Sequence, residues 1–102
     1  MAQLILVWTK TALKQRNHIF KYWNKRNKST AYSKRLRKVI NERTKLILSF
    51  PEIGREAQFR NHLTIPLEHY NIFYRIVEGK IIISAFWDNN QSPKKLLHIL
   101  KK

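Results

Sequence analysis

The sequence predicts an α+β fold in which a two-helix hairpin packs on a small antiparallel sheet, in the order β-α-α-β-β-β with a short C-terminal helix. Three observations lead there. Residues 63–90, LTIPLEHYNIFYRIVEGKIIISAFWDNN, carry apolar side chains at every second position in the runs Tyr70, Ile72, Tyr74, Ile76 and Ile81, Ile83, Ala85, Trp87, the period of a pleated strand. Ahead of them lie two basic stretches whose apolar residues recur at helical spacing. The chain opens on the short apolar run LILVW.

Residues 4–8 read as the first strand. Leu4, Leu6 and Trp8 alternate with Ile5 and Val7, so both faces are apolar, which predicts a place inside the sheet. Thr9 or Thr11 caps the helix that follows over residues 12–27. There Ala12, Leu13, Ile19, Phe20 and Trp23 form the core stripe, and Lys10, Lys14, Arg16, Lys21, Lys25 and Arg26 the exposed basic side. The polar break NKRNKST supplies Ser29 or Thr30 as the cap of a second helix over residues 31–48. Leu36, Val39, Ile40, Ile47 and Phe50 mark its buried side, with Arg43 close beside it, and Pro51 stops it.

Residues 51–55 read as a loop and 56–62 as extended chain entering the sheet. Pro66 has no N–H for a ladder, which places the strand holding Leu63, Ile65 and Leu67 at an edge or sets Pro66 on a non-bonding position. Glu78-Gly79-Lys80 reads as a three-residue hairpin turn, glycine taking the positive φ that it needs. After a loop at 88–92, Ser92 and Pro93 are placed to start a terminal helix carrying Leu96, Leu97, Ile99 and Leu100. No linker or repeat interrupts the 102 residues, which read as one domain.

Charge is the dominant compositional signal. Twenty-one Lys and Arg against six Asp and Glu give +15, beyond what solubility needs, so the expected partner is polyanionic: RNA, DNA or an acidic protein segment. The plain alternative is a solvated basic face. With 43% hydrophobic residues the chain has the material to fold in spite of that charge. The absence of cysteine excludes disulfides and thiolate metal sites and suits a reducing, cytoplasmic location. The first ten residues lack a basic leader and cleavage site, and no apolar run is long enough to span a bilayer. His18, His62, His69 and His98 have no metal-binding spacing, and Gly54 and Gly79 make no phosphate-cradling loop, so no metal or cofactor is expected.

Taken in order, the opening strand and helix VWTKTALKQRNHIFKYW, the SFPEIGRE that ends the second helix, the hairpin HYNIFYRIVEGKIIISAFWD and the polar loop before a terminal helix resemble the RelE/ParE superfamily of toxins from bacterial type II toxin–antitoxin modules, including plasmid stabilisation proteins. The resemblance spans nearly the whole chain. It implies a toxin domain over residues 1–102, neutralised by a cognate antitoxin whose tail wraps around it. Within the superfamily, RelE-like members are ribosome-dependent mRNA endoribonucleases and ParE-like members poison DNA gyrase.

RelE-like enzymes stabilise charge on the attacked phosphate with one arginine opening the middle strand and another just beyond the last strand. Here those regions read His69-Tyr70-Asn71 and Asp88-Asn89-Asn90, so asparagine stands where arginine is expected. The resemblance therefore favours ParE-like action on gyrase. A ribosome-dependent nuclease with a rebuilt His/Arg site is the first alternative, drawing on His62, His69, Arg55, Arg60 and Arg75; a non-toxic basic nucleic-acid-binding module is the second. His62 alternates with Leu63 and Ile65 and is expected to face away from the core. Arg75 is expected beside Asn71 on the face opposite the helices, unless it pairs with Glu78 or Glu68. Target contacts are expected from Lys34, Arg37, Lys38, Arg60, Arg75, Trp87, Asn89, Asn90, Lys94 and Lys95, with Trp87 either a stacking platform or an aromatic at the edge of the core.

Overall fold

The computed structural model describes residues 4–57, 61–89 and 94–95. Strand β1 (Ile5–Trp8) leads into helix α1 (Lys10–Asn27), which turns back as α2 (Ala31–Ser49); the sheet continues with β2 (Arg55–Glu56), β3 (Leu63–Leu67), β4 (Tyr70–Val77) and β5 (Lys80–Asp88). The strands lie in the order β1-β5-β4-β3-β2, antiparallel except for the parallel β1–β5 pair. Both helices cover one face. Their buried residues Ala12, Ile19, Phe20, Leu36, Ile40 and Ile47 meet Ile65, Leu67, Tyr70, Ile72, Tyr74, Ile81, Ile83 and Phe86 from the sheet.

Local chemistry explains the elements. Thr9 is the α1 N-cap: its Oγ1 accepts from the Ala12 N–H at 3.1 Å, satisfying one of the donors that a helix start leaves free. The same hydroxyl donates to the Ser84 carbonyl at 3.4 Å and the Thr9 N–H to the Ile83 carbonyl, tying the β1–α1 junction to β5. Between the helices Lys28 takes the left-handed conformation, and Ser29 Oγ accepts from the Ala31 N–H. Pro66 lies beyond the two-residue β2, where β3 is unpaired on its outer side, as its missing N–H demands. Its carbonyl accepts from Arg43 Nε at 3.3 Å, which accounts for an arginine so near the buried side of α2.

Several expectations are corrected. Strand β1 is an edge strand, not an interior one: only β5 pairs with it, and Ile5 and Val7 are 60% and 36% exposed. Residues 55–56 form the short β2, which polar side chains do not announce. The β4–β5 turn has two residues, since Val77 pairs with Lys80; Glu78 and Gly79 sit at φ 40° and 79°, the two positive values of a type I′ turn. Phe50 and Ile76, expected in the core, are exposed at 62% and 42%. Of the expected terminal helix, Lys94 and Lys95 are helical; the other expected positions lie outside the described residues.

The largest correction concerns β5. Phe73 pairs with Ala85 but Tyr74 with Ile83, so Ser84 is an extra, bulged residue. The bulge reverses the facing of everything after it. Ile81, Ile83 and Phe86 point to the helices, whereas Ala85 and Trp87 join Phe73 and Ala57 in a small cluster on the opposite face. The upper part of β5, past the end of β1, is closed by α1: Gln15 Oε1 accepts from the Phe86 N–H at 2.8 Å.

Candidate functional site

The two asparagines that the sequence set where a nuclease of the superfamily is expected to carry arginine come together in this fold. Asn71, second residue of β4, and Asn89, just past β5, are brought side by side by the β4–β5 ladder, and Asn71 Nδ2 donates to Asn89 Oδ1 at 2.6 Å. His69 lies at the same end, in the Glu68-His69 turn, exposed, with its carbonyl accepting from the Asn89 N–H. This end of the sheet thus presents two neutral amides joined by one hydrogen bond. They supply neither the positive charge that a phosphorane requires nor a titratable group.

His62 is elsewhere. It precedes β3 and His69 follows it, a separation of about 20 Å at strand rise, so the two histidines belong to different sites. His62 does point away from the helices, as expected, but it is buried, with Nε2 3.3 Å from Ser84 Oγ and its carbonyl holding the Ala57 N–H. The bulge at Ser84 sets that contact. Arg75 shares a cavity of about 350 Å³ with His62, Glu56 and Asn61, so the fold brings His62 and Arg75 to one place. Glu68 ion-pairs with Arg35 on α2 at 3.3 Å, not with Arg75.

The other predicted residues scatter. Arg55 lies exposed on β2, Lys34, Arg37 and Lys38 are exposed on α2, and Lys94 and Lys95 are exposed near the C-terminus. Trp87 is buried against Phe73 and Ala85, so it is an aromatic of the minor core and offers no stacking face. Arg60 and Asn90 lie outside the described residues. No group of His, Asp and Glu side chains among the described residues is arranged to hold a metal ion, and no helix among them is long and apolar enough to cross a membrane.

Two features were not read from the sequence. Tyr74, fully buried on β4, reaches the loop after α2: its hydroxyl donates to the Pro51 carbonyl at 2.8 Å and accepts from the Gly54 N–H at 2.9 Å. Gly54 is required there because a Cβ would stand 2.7 Å from that hydroxyl and 3.0 Å from the Thr64 carbonyl. The second is an open apolar groove of about 870 Å³ beside this loop, lined by Leu4, Leu46, Phe50, Pro51, Ile53 and Ile76. Phe50, Ile53 and Ile76 are its exposed apolar members.

Comparison with known proteins places the chain. The model of the family described as ParE toxin of type II toxin-antitoxin system, parDE, matches residues 6–93. Among solved structures, one described as the chromosomal ParDE TA system from P. aeruginosa superposes with a TM-score of 0.76 at 17% identity, covering 86% of this chain and 98% of that one, a likeness of fold. No curated protein sequence matches. With the family model spanning β1 through the end of the sheet and the two-helix, five-stranded architecture in agreement, the chain belongs to the ParE toxin family of type II toxin–antitoxin systems.

Proposed function

We propose that this chain arrests bacterial growth by acting on DNA gyrase and that a cognate antitoxin neutralises it. The observation that supports a non-nuclease action is the Asn71–Asn89 amide pair at the positions where nuclease members of the superfamily carry arginine. A ribonuclease of this type must stabilise added negative charge on phosphorus, and two mutually bonded amides contribute little to that. Membership of the ParE family, rather than a nuclease family, supports the same reading. The His62–Arg75 cavity does not favour a rebuilt nuclease, because the imidazole is buried against Ser84.

The test is induced expression in a bacterium, followed by plasmid supercoiling, the DNA damage response and mRNA 5′ ends mapped by primer extension. The expected result is damage signalling and altered supercoiling with intact mRNA, unchanged in Asn71→Ala and Asn89→Ala. Codon-positioned mRNA cleavage that disappears in His62→Gln would overturn gyrase as the target.

A further inference from the structure

Arg16 was expected on the exposed basic side of α1, and it is not there. It is half-buried, with its guanidinium carbon 4.9 Å from the centre of the Trp8 ring and 5.6 Å from that of Phe20. Arg37, from α2, lies 4.9 Å from the same Phe20 ring. Stacking on aromatic faces holds both guanidiniums in place, and such cations are attracted by the ring quadrupole. Two like charges are thus fixed beside one buried ring.

Nothing nearby balances them. Helices α1 and α2 each carry six Lys or Arg, and their one acidic residue is Glu42, five positions along α2 from Arg37. Among the described residues neither Arg16 nor Arg37 makes an ion pair. The Arg16 Nε is shielded from solvent and has no hydrogen-bond partner, and the side chain's one recorded bond is a long contact of 3.4 Å from Nη2 to Asn17. Burial, and then the Arg37 charge, disfavour its charged form. An arginine held half-buried, donor unmet and beside a second cation, has a cost that a bound anion would offset.

We infer that Arg16 and Arg37 form an anchor for carboxylate side chains of an acidic protein segment, beside Phe20 where α1 meets α2. This inference rests on the reading that an antitoxin neutralises the chain, and it names the chemistry by which that partner is gripped. A protein segment is favoured over a nucleic-acid backbone because the two guanidiniums rest on the rings of Trp8 and Phe20, so that an occupant gains by carrying apolar atoms beside its charge.

The test follows the arginine side-chain Nε–Hε NMR signals of the full, isotope-labelled chain while dodecaglutamate or dodecauridylate is added. Dodecaglutamate is expected to move the Arg16 and Arg37 signals earlier and further than those of Arg26, Arg43 and Arg55. Arg16→Lys, which keeps the charge and lets the chain fold, and Arg37→Gln are each expected to weaken its binding by about tenfold, the scale of a charge-assisted pair. Arg26→Gln, at an exposed arginine, is expected to change it less than twofold. Equal responses from all arginines, or unchanged affinity in Arg16→Lys, would overturn the anchor. Tighter binding of dodecauridylate at the Arg16 signal would overturn its assignment to a protein segment. Growth arrest measured on the same variants separates the two levels: arrest without a selective Arg16 response sinks the anchor alone, and absence of arrest sinks the toxin reading.

Discussion

Replacing Tyr74 by phenylalanine removes one oxygen and keeps the ring, so no cavity opens and the effect isolates the hydroxyl. That hydroxyl serves two backbone groups, the Pro51 carbonyl at 2.8 Å and the Gly54 N–H at 2.9 Å. A neutral hydrogen bond contributes about 1 kcal/mol net, and an orphaned group costs at least as much. Tyr74→Phe is therefore expected to lower stability by about 2 kcal/mol and the melting temperature by about 10 °C for a chain of this size. Urea unfolding should show the midpoint falling with its slope unchanged. Gly54→Ala alone should cost about 1–3 kcal/mol, because its Cβ meets the hydroxyl. In the double variant that collision is gone, and the combined loss should fall short of the sum by about 1 kcal/mol. A loss under about 0.5 kcal/mol in Tyr74→Phe, or strict additivity, would refute the clamp. Alkaline titration adds a signed check. Burial raises the Tyr74 phenol, outweighing the Gly54 N–H that favours its phenolate, so the unfolded chain gives up this proton first. The stabilisation is complete below about pH 10 and is lost as pH rises through the folded value. Tyr74→Phe lacks that loss, and its deficit relative to the parent should narrow above about pH 10.

Two further variants test local geometry. Glu78 occupies a left-handed position of a type I′ turn, so Glu78→Asn should raise stability by about 0.5 kcal/mol and Gly79→Ala should lower it by about 1 kcal/mol, both read by chemical denaturation. His62→Ala should cost about 1–2 kcal/mol by emptying a buried, hydrogen-bonded position, and growth arrest should decline only as far as folded protein does. A fully stable His62→Ala chain without arrest would instead assign His62 to the chemistry.

Most of the architecture was legible because helices and strands announce themselves by period. The α1 and α2 stripes and the β4 face at Tyr70, Ile72 and Tyr74 follow from spacing alone, while residue type narrowed the α1 cap to Thr9 or Thr11, of which Thr9 serves. What period cannot carry is anything that depends on who lies beside whom. An apolar run such as Ile5–Trp8 reads the same whether a second strand or an external partner covers it, so its edge position was hidden. The bulge at Ser84 leaves no mark in composition, yet it sends Ala85 and Trp87 to the far face; the unbroken alternation from Ile81 to Trp87 gave the wrong side for both. The Asn71–Asn89 contact was approachable, since both positions were noted as departures from the nuclease pattern, but their bond depends on β4–β5 register. Arg16 was the least legible. Helical spacing placed it among the solvated cations, and only the approach of Trp8 and Arg37 from other elements removed it from water.

The parallel seat of β1 on β5 has a consequence for how the toxin comes into being. Thr9, which starts the first helix, is fastened to Ser84, 75 residues later. During synthesis the strand β1 therefore waits: α1 and α2 can form as a hairpin, but β1 finds its sheet neighbour only once β5 has been made. A chain ending before β5 lacks the partner of β1 and one of the two partners of β4, and with them the core residues Ile81, Ile83 and Phe86. The sheet is thus complete only once β5 is available, and a chain that stops before β5 cannot assemble it.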